Sequence, residues 1–133
     1  MQVRAILITF AALFVALIAA APVEKRSTFS GTATWYDPVP SQGGNLGSCY
    51  GKSINKDMAI VALNSKQYGN LNENSDLCGS TIKITGPAGT TTATILDACP
   101  ECGYGSLDLT PAVFKKVVGD LDIGMGDIEW HIV

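Results

Sequence analysis

Four cysteines, Cys49, Cys78, Cys99 and Cys102, constrain this chain more than any other feature. They lie behind an apolar leader. Met1–Ala21 carries one early charge, Arg4, then an apolar run from Ala5 to Ala21 broken only by Thr9, and it ends in three alanines. That is the layout of a secretory signal peptide rather than a membrane anchor, since the run is short and no basic stop-transfer cluster follows. Residues 22–26 read as a short linker or propeptide ending in Lys25-Arg26, a dibasic processing site. The expected mature domain is 27–133, secreted to the extracellular space or cell wall, and an even cysteine count there reads as a disulfide framework. A zinc site would also use four thiolates, but Cys49 and Cys78 stand alone rather than as a second CxxC knuckle. A redox pair at Cys99–Cys102 would want a helix N-terminus to activate a thiolate, and Gly103 and Gly105 oppose a helix there. Spacing leaves all three disulfide pairings open. The expected one is Cys49–Cys78 with Cys99–Cys102.

The net charge of −3 falls to about −5 once Arg4, Glu24, Lys25 and Arg26 are removed, taking carboxylates as ionised and His131 as neutral. An acidic surface argues against nucleic acid and against anionic membranes. No Asn-x-Ser/Thr sequon occurs. No nucleotide, haem or metal motif is present, so neither cofactor nor metal is expected.

Residues 30–36, 58–63, 81–85, 90–96 and 127–133 read as strands, from alternation or from short apolar β-branched runs. Gly86-Pro87-Ala88-Gly89 is a hairpin turn. Residues 37–47 and 65–76 read as loops, the second anchored by Tyr68 and Leu71. One helix is signalled: Thr110 as N-cap, Pro111 at N1, Leu109 and Phe114 as a hydrophobic staple, an apolar stripe through Val113, Phe114, Val117 and Val118, and Gly119 as the stop. The expected fold is all-β with small α content: a closed barrel of about six strands with one short helix, as a monomer.

The stretch LDACPECGYGSLDL, residues 96–109, holds the candidate chemistry. Asp97 sits where a buried strand gives way to loop, so partial burial is expected to favour its protonated form. Asp108 precedes the helix, whose dipole is expected to favour its ionised form. Opposed environments suit general-acid and general-base roles, although turn and helix capping would account for both residues without any chemistry.

GTATWY (31–36), SCYG (48–51), MAIVALN (58–64), LCGSTIKI (77–84), ATILDACPECG (93–103), LDLTPAVF (107–114) and IEWHIV (128–133), in this order, resemble the double-psi β-barrel group. That group includes the first domain of expansins, rare-lipoprotein-A-like proteins, barwin and family-45 endoglucanases. The resemblance implies a six-stranded barrel with an open groove, with Thr32, Tyr36, Asp97 and Asp108 as glycan-binding residues; Trp35 beside them reads instead as a core residue. It implies Asp97 as the general acid, if the chain is lytic. The family-45 base has no clear match, Asp37 being the nearest candidate. His131 alternates to an outward, solvent-facing position, unlike the groove histidine of peptidoglycan-cleaving relatives. The second, carbohydrate-binding domain of expansins does not appear before Val133. The expected function is expansin-like binding of cell-wall polysaccharide (cellulose, chitin or peptidoglycan) without hydrolysis. Two other classes remain: an inhibitor of papain-like cysteine proteases or a secreted effector, and a weak endoglucanase or lytic transglycosylase.

Overall fold

The computed structural model describes residues 11–15, 26–40 and 44–133. Most of the expected leader and of the 22–26 linker therefore lies outside the described residues. Among those described, no helix is long and apolar enough to cross a membrane.

Six strands form a closed barrel: β1 (Phe29–Trp35), β2 (Ile60–Asn64), β3 (Thr81–Gly86), β4 (Gly89–Cys99), β5 (Leu107–Leu109) and β6 (Gly126–Ile132). Around the barrel the order is β1-β5-β2-β4-β3-β6, closing back on β1. The β1–β5 and β2–β4 pairs are parallel, and the other four are antiparallel. Closure gives each of the six strands a partner on both sides.

Alternation explains which side chains fill the barrel. On β3, Ile82 and Ile84 are fully buried between exposed neighbours. On β5, Leu107 and Leu109 point inward, so Asp108 points out. On β6, Ile128 and Trp130 are buried, and the Trp130 indole N–H donates to the Gly105 carbonyl at 2.8 Å. The ring of Phe29 packs 4.6 Å from that of Trp130. Trp35 packs against the core, as expected, and donates its indole N–H to the Leu121 carbonyl at 2.9 Å.

The helix is α2 (Pro111–Val117), and it buries Val113, Phe114 and Val117. Thr110 holds the N-cap position but does not cap with its side chain. Its hydroxyl instead donates to the Met58 carbonyl at 2.7 Å, tying the helix to the entry of β2. A Lys56 carbonyl accepts one of the free helix N–H groups, from Ala112. Gly119 ends the helix with φ 124°, a backbone region that glycine adopts without strain.

Two elements depart from the sequence reading. A one-turn helix, α1 (Ser65–Tyr68), starts the segment expected to be loop, capped by Asn64, whose side-chain oxygen accepts from the Gln67 N–H. The sixth strand, β5, is too short at three residues for alternation to announce it. The disulfides are Cys49–Cys78 and Cys99–Cys102. The first is part of the core, with Cys49 at 0% and Cys78 at 8% exposure.

Candidate functional site

The site depends on a β-bulge. Pairing of β2 with β4 steps from Val61–Ile95 to Ala62–Asp97, so Leu96 is the extra residue. Side chains alternate with period two, and inserting one residue flips those that follow to the other face. Asp97 would follow Ala93 and Ile95 into the core; the bulge turns it outward. β4 continues past it to Cys99, so Asp97 lies within the strand and not at its end. The displaced Leu96 carbonyl accepts the Cys49 N–H at 3.1 Å. Gly47 lies against the same carbonyl, which a Cβ at that position would overlap. This close approach seats Ser48 over Asp97. The turn is held from the other side by Tyr50, at φ 61°, whose N–H donates to Asn74 Oδ1 at 2.8 Å.

Register then aligns four outward residues across four strands. Thr34 on β1 pairs with Asp108 on β5, Asp108 with Ala62 on β2, and Ala62 with Asp97 on β4. The carboxylate-bearing positions are two strand spacings apart, roughly 10 Å between Cα atoms. Ala62 forms the floor between them.

Four donors converge on Asp97. The Tyr36 hydroxyl donates to Oδ2 at 2.7 Å. Oδ1 accepts from the Ser48 N–H and hydroxyl, both at 3.0 Å, and from the Ala98 N–H at 2.9 Å. Tyr36 reaches across from β1, its position fixed by an N–H donated to the Leu109 carbonyl at 3.0 Å. Burial, and next the charge of Asp97, push the Tyr36 phenol far above its ordinary range, so it remains a donor. Asp108 accepts from the Thr34 hydroxyl at 3.0 Å.

The expectation for Asp108 is overturned. Its carboxyl is raised, not lowered. Burial is the main cause and the charge of Asp97 adds to it, against the opposing hydrogen bonds from Thr34 and the Leu109 backbone. Dipole stabilisation falls off within the first turn of a helix, and Asp108 lies outside it. A pH dependence follows. With a folded-state pKa above the ordinary 3.8, the stability tied to neutral Asp108 is complete below that value and is lost as pH rises through the raised one. Asp108→Asn removes the buried charge and keeps an acceptor for Thr34. Thermal melts should give this variant a higher midpoint than the parent at pH 7, with the advantage shrinking as pH falls towards 3.8. An unchanged difference across that range would refute the assignment.

Two cavities meet at Asp108. One, of 420 Å³, is lined by Tyr36, Ser48, Ala62, Asp97 and Asp108, with Leu46 at its rim. The other, of 340 Å³, is lined by Thr32, Thr34, Ser106, Asp108 and Met125. They share Cys99, Glu101 and Asp108 and so form one groove. A wider depression of 520 Å³ over β1, β3 and β6 contains Thr32 but neither Asp97 nor Asp108.

The structure brings Tyr36, Asp97 and Asp108 together and puts Thr32 in the adjoining half of the groove. Asp37 lines neither half, and neither does His131, which lies on β6 opposite Lys83. Thr34, Ser48, Ala62, Glu101 and Ser106 were not anticipated. Thr34 was visible in principle, because it lies between Thr32 and Tyr36 at period two. Ser48 and Ala62 were not, because each depends on the bulge.

No protein-family model matches the chain. Expansin-YoaJ of Bacillus subtilis is 34% identical over 107 residues, covering 80% of this chain and 39% of that protein. A mutant Clavibacter michiganensis expansin, solved in complex with cellohexaose, superposes with a TM-score of 0.67 at 30% identity, covering 80% of this chain and 50% of that one. The Streptomyces papain inhibitor superposes with a TM-score of 0.66 at 26% identity, covering 80% of this chain and 94% of that one. The chain thus spans about two fifths of YoaJ and half of the Clavibacter protein. Sequence likeness to expansins and the closed-barrel topology agree: the chain belongs to the expansin-like double-psi β-barrel family.

Proposed function

We propose that the barrel is extracellular and binds cell-wall polysaccharide along the groove, without hydrolysing it. The observation that carries this reading is the row Thr34–Asp108–Ala62–Asp97, which sets a hydroxyl and two carboxylates on either side of the small Ala62 side chain. Sugar hydroxyls both donate and accept, and such a row offers them fixed partners. The Clavibacter expansin, solved with cellohexaose, supports a β-linked glucan as ligand.

Binding without cleavage is supported by the hydrogen bonding of Asp97. Three donors of the chain meet at Oδ1 and the Tyr36 hydroxyl donates to Oδ2, which leaves Oδ2 one open acceptor position for a sugar hydroxyl. Asp97 is thus engaged by four donors of the chain itself, an arrangement that suits a fixed acceptor more than a proton donor to a glycosidic oxygen. Should sugars be released, Asp108, held above the usual carboxylate range by burial, is the better-placed donor.

Co-sedimentation of residues 27–133 with insoluble cellulose, chitin and peptidoglycan, with product analysis on the same samples, tests this reading. Retention without released sugars is expected; released reducing ends or anhydro-sugars would establish lytic chemistry. Within that assay, Ala62→Val should weaken retention at least about tenfold, since β-branched valine suits the strand but raises the floor between the carboxylates. Unchanged retention would place the glycan elsewhere.

A second reading rests on the likeness to the Streptomyces papain inhibitor. Loops 37–47 and 65–76 would then enter a protease cleft. Full papain activity at saturating protein would exclude it.

A further inference from the structure

Cys99 lines both halves of the groove and Cys102 lines one, so a disulfide forms part of its wall. Both residues are half-buried, whereas Cys49 and Cys78 lie in the core. The two bridges also differ in what they hold. Cys49–Cys78 joins positions 29 apart and Cys99–Cys102 positions 3 apart, and the stability gained from closing a loop grows with its length. Opening the short bridge therefore disturbs the fold least, and it is the bridge that solvent reaches.

We propose that Cys99–Cys102 is a thiol–disulfide exchange site built into the groove wall, with a dithiol as its co-reactant. One thiolate of the dithiol attacks one cysteine sulfur, forming a mixed disulfide, and the other cysteine leaves as a thiolate that takes up a proton. The second thiol of the reagent then attacks the mixed disulfide and releases the first cysteine. The products are two cysteine thiols and the oxidised reagent. Cys99 ends a strand and Cys102 lies at a turn, so neither gains a helix N-terminus that would activate its own thiolate. The pair is thus a substrate of exchange and not an oxidoreductase centre.

Exchange alters the groove. Pro100 and Glu101 bridge the two cysteines, and Glu101 lines both cavities. Apart from the disulfide, this turn is held by the Ser65 hydroxyl on the Pro100 carbonyl at 3.1 Å and the Cys102 N–H on the Cys99 carbonyl at 3.3 Å. Beyond it the chain is anchored again, by Gly105 N–H to Gln67 Oε1 and by the Trp130 indole to the Gly105 carbonyl. Reduction frees the turn between two fixed points, and the wall carrying Glu101 moves while Asp97 and Asp108 keep their strand positions. This gating step rests on the glycan-binding reading; the exchange step does not.

The test incubates the full chain with dithiothreitol under native conditions, alkylates it, maps the labelled cysteines, and measures retention on cellulose, chitin and peptidoglycan before and after. The expected result is labelling of Cys99 and Cys102 alone, an unchanged circular dichroism spectrum, and loss of retention that reoxidation restores. Labelling of all four cysteines together, or of none, overturns the exchange site. Selective labelling with full retention overturns the gating. If the oxidised chain is retained on none of the three, the glycan reading and its gating fall together, and the labelling pattern alone decides the exchange site.

Discussion

Replacing Cys49 and Cys78 together by alanine is expected to destabilise the fold by about 3.5 kcal/mol, the loop-entropy value for a ring of roughly 30 residues. For a domain of this size that lowers the thermal midpoint by roughly 15 °C or more. The bridge fastens the turn at Cys49, which supports Ser48 and donates its N–H to the bulged Leu96 carbonyl, to the segment entering β3. Both sulfurs are buried, so truncation also leaves unfilled space, which adds to the loss. The paired change Cys99→Ser/Cys102→Ser should cost only about 2 kcal/mol on the same scale. Equilibrium urea denaturation of both variants measures the two losses, and a larger loss at the short bridge would contradict the division of labour between them.

Asp97→Asn is the substitution expected to damage the groove most. An amide keeps one acceptor oxygen and puts an N–H₂ group where the other carboxylate oxygen stood. Three donors meet at Oδ1, so the amide oxygen should settle there. The N–H₂ group then faces the Tyr36 hydroxyl, which has to rotate and accept instead of donating. The fold should survive with a loss of about 1–2 kcal/mol, the usual range for one rearranged hydrogen bond to a charged group. Polysaccharide retention should fall below detection, because the negative charge at one end of the row is gone and the Tyr36 hydroxyl is reversed. Undiminished retention, with the variant shown to be folded by its melt, would remove Asp97 from the site.

The barrel was legible because its strands obey simple patterns. TIKIT and IEWHI alternate cleanly, and the apolar IVAL run, expected to be buried, is buried throughout β2. What escaped was short or depended on the fold. LDL is a strand only because β1 and β2 flank it on either side. The α1 turn forms because Asn64, buried at the end of β2, has a side chain free to cap it. Thr110 looked like a capping residue, yet the nearby Met58 carbonyl takes its hydroxyl.

The candidate site was legible as residue types and not as geometry. Asp97 and Asp108 were recognised, but the outward aim of Asp97 comes from the bulge at Leu96, which no local pattern reveals. The raised carboxyl of Asp108 follows from the burial of its strand between two others, and this outweighs a helix terminus that sequence proximity had made prominent. Tyr36 and Ser48 reach Asp97 over separations of 61 and 49 residues. Contacts of that kind become visible only once the barrel closes.

The most direct measurement is a backbone amide NMR titration of residues 27–133 with cellohexaose. The account predicts saturable shifts concentrated at Thr34, Ser48, Ala62, Ala98 and Asp108. Shifts confined to Thr85, Asp127 and Glu129 over β3 and β6, or none at millimolar ligand, would contradict it.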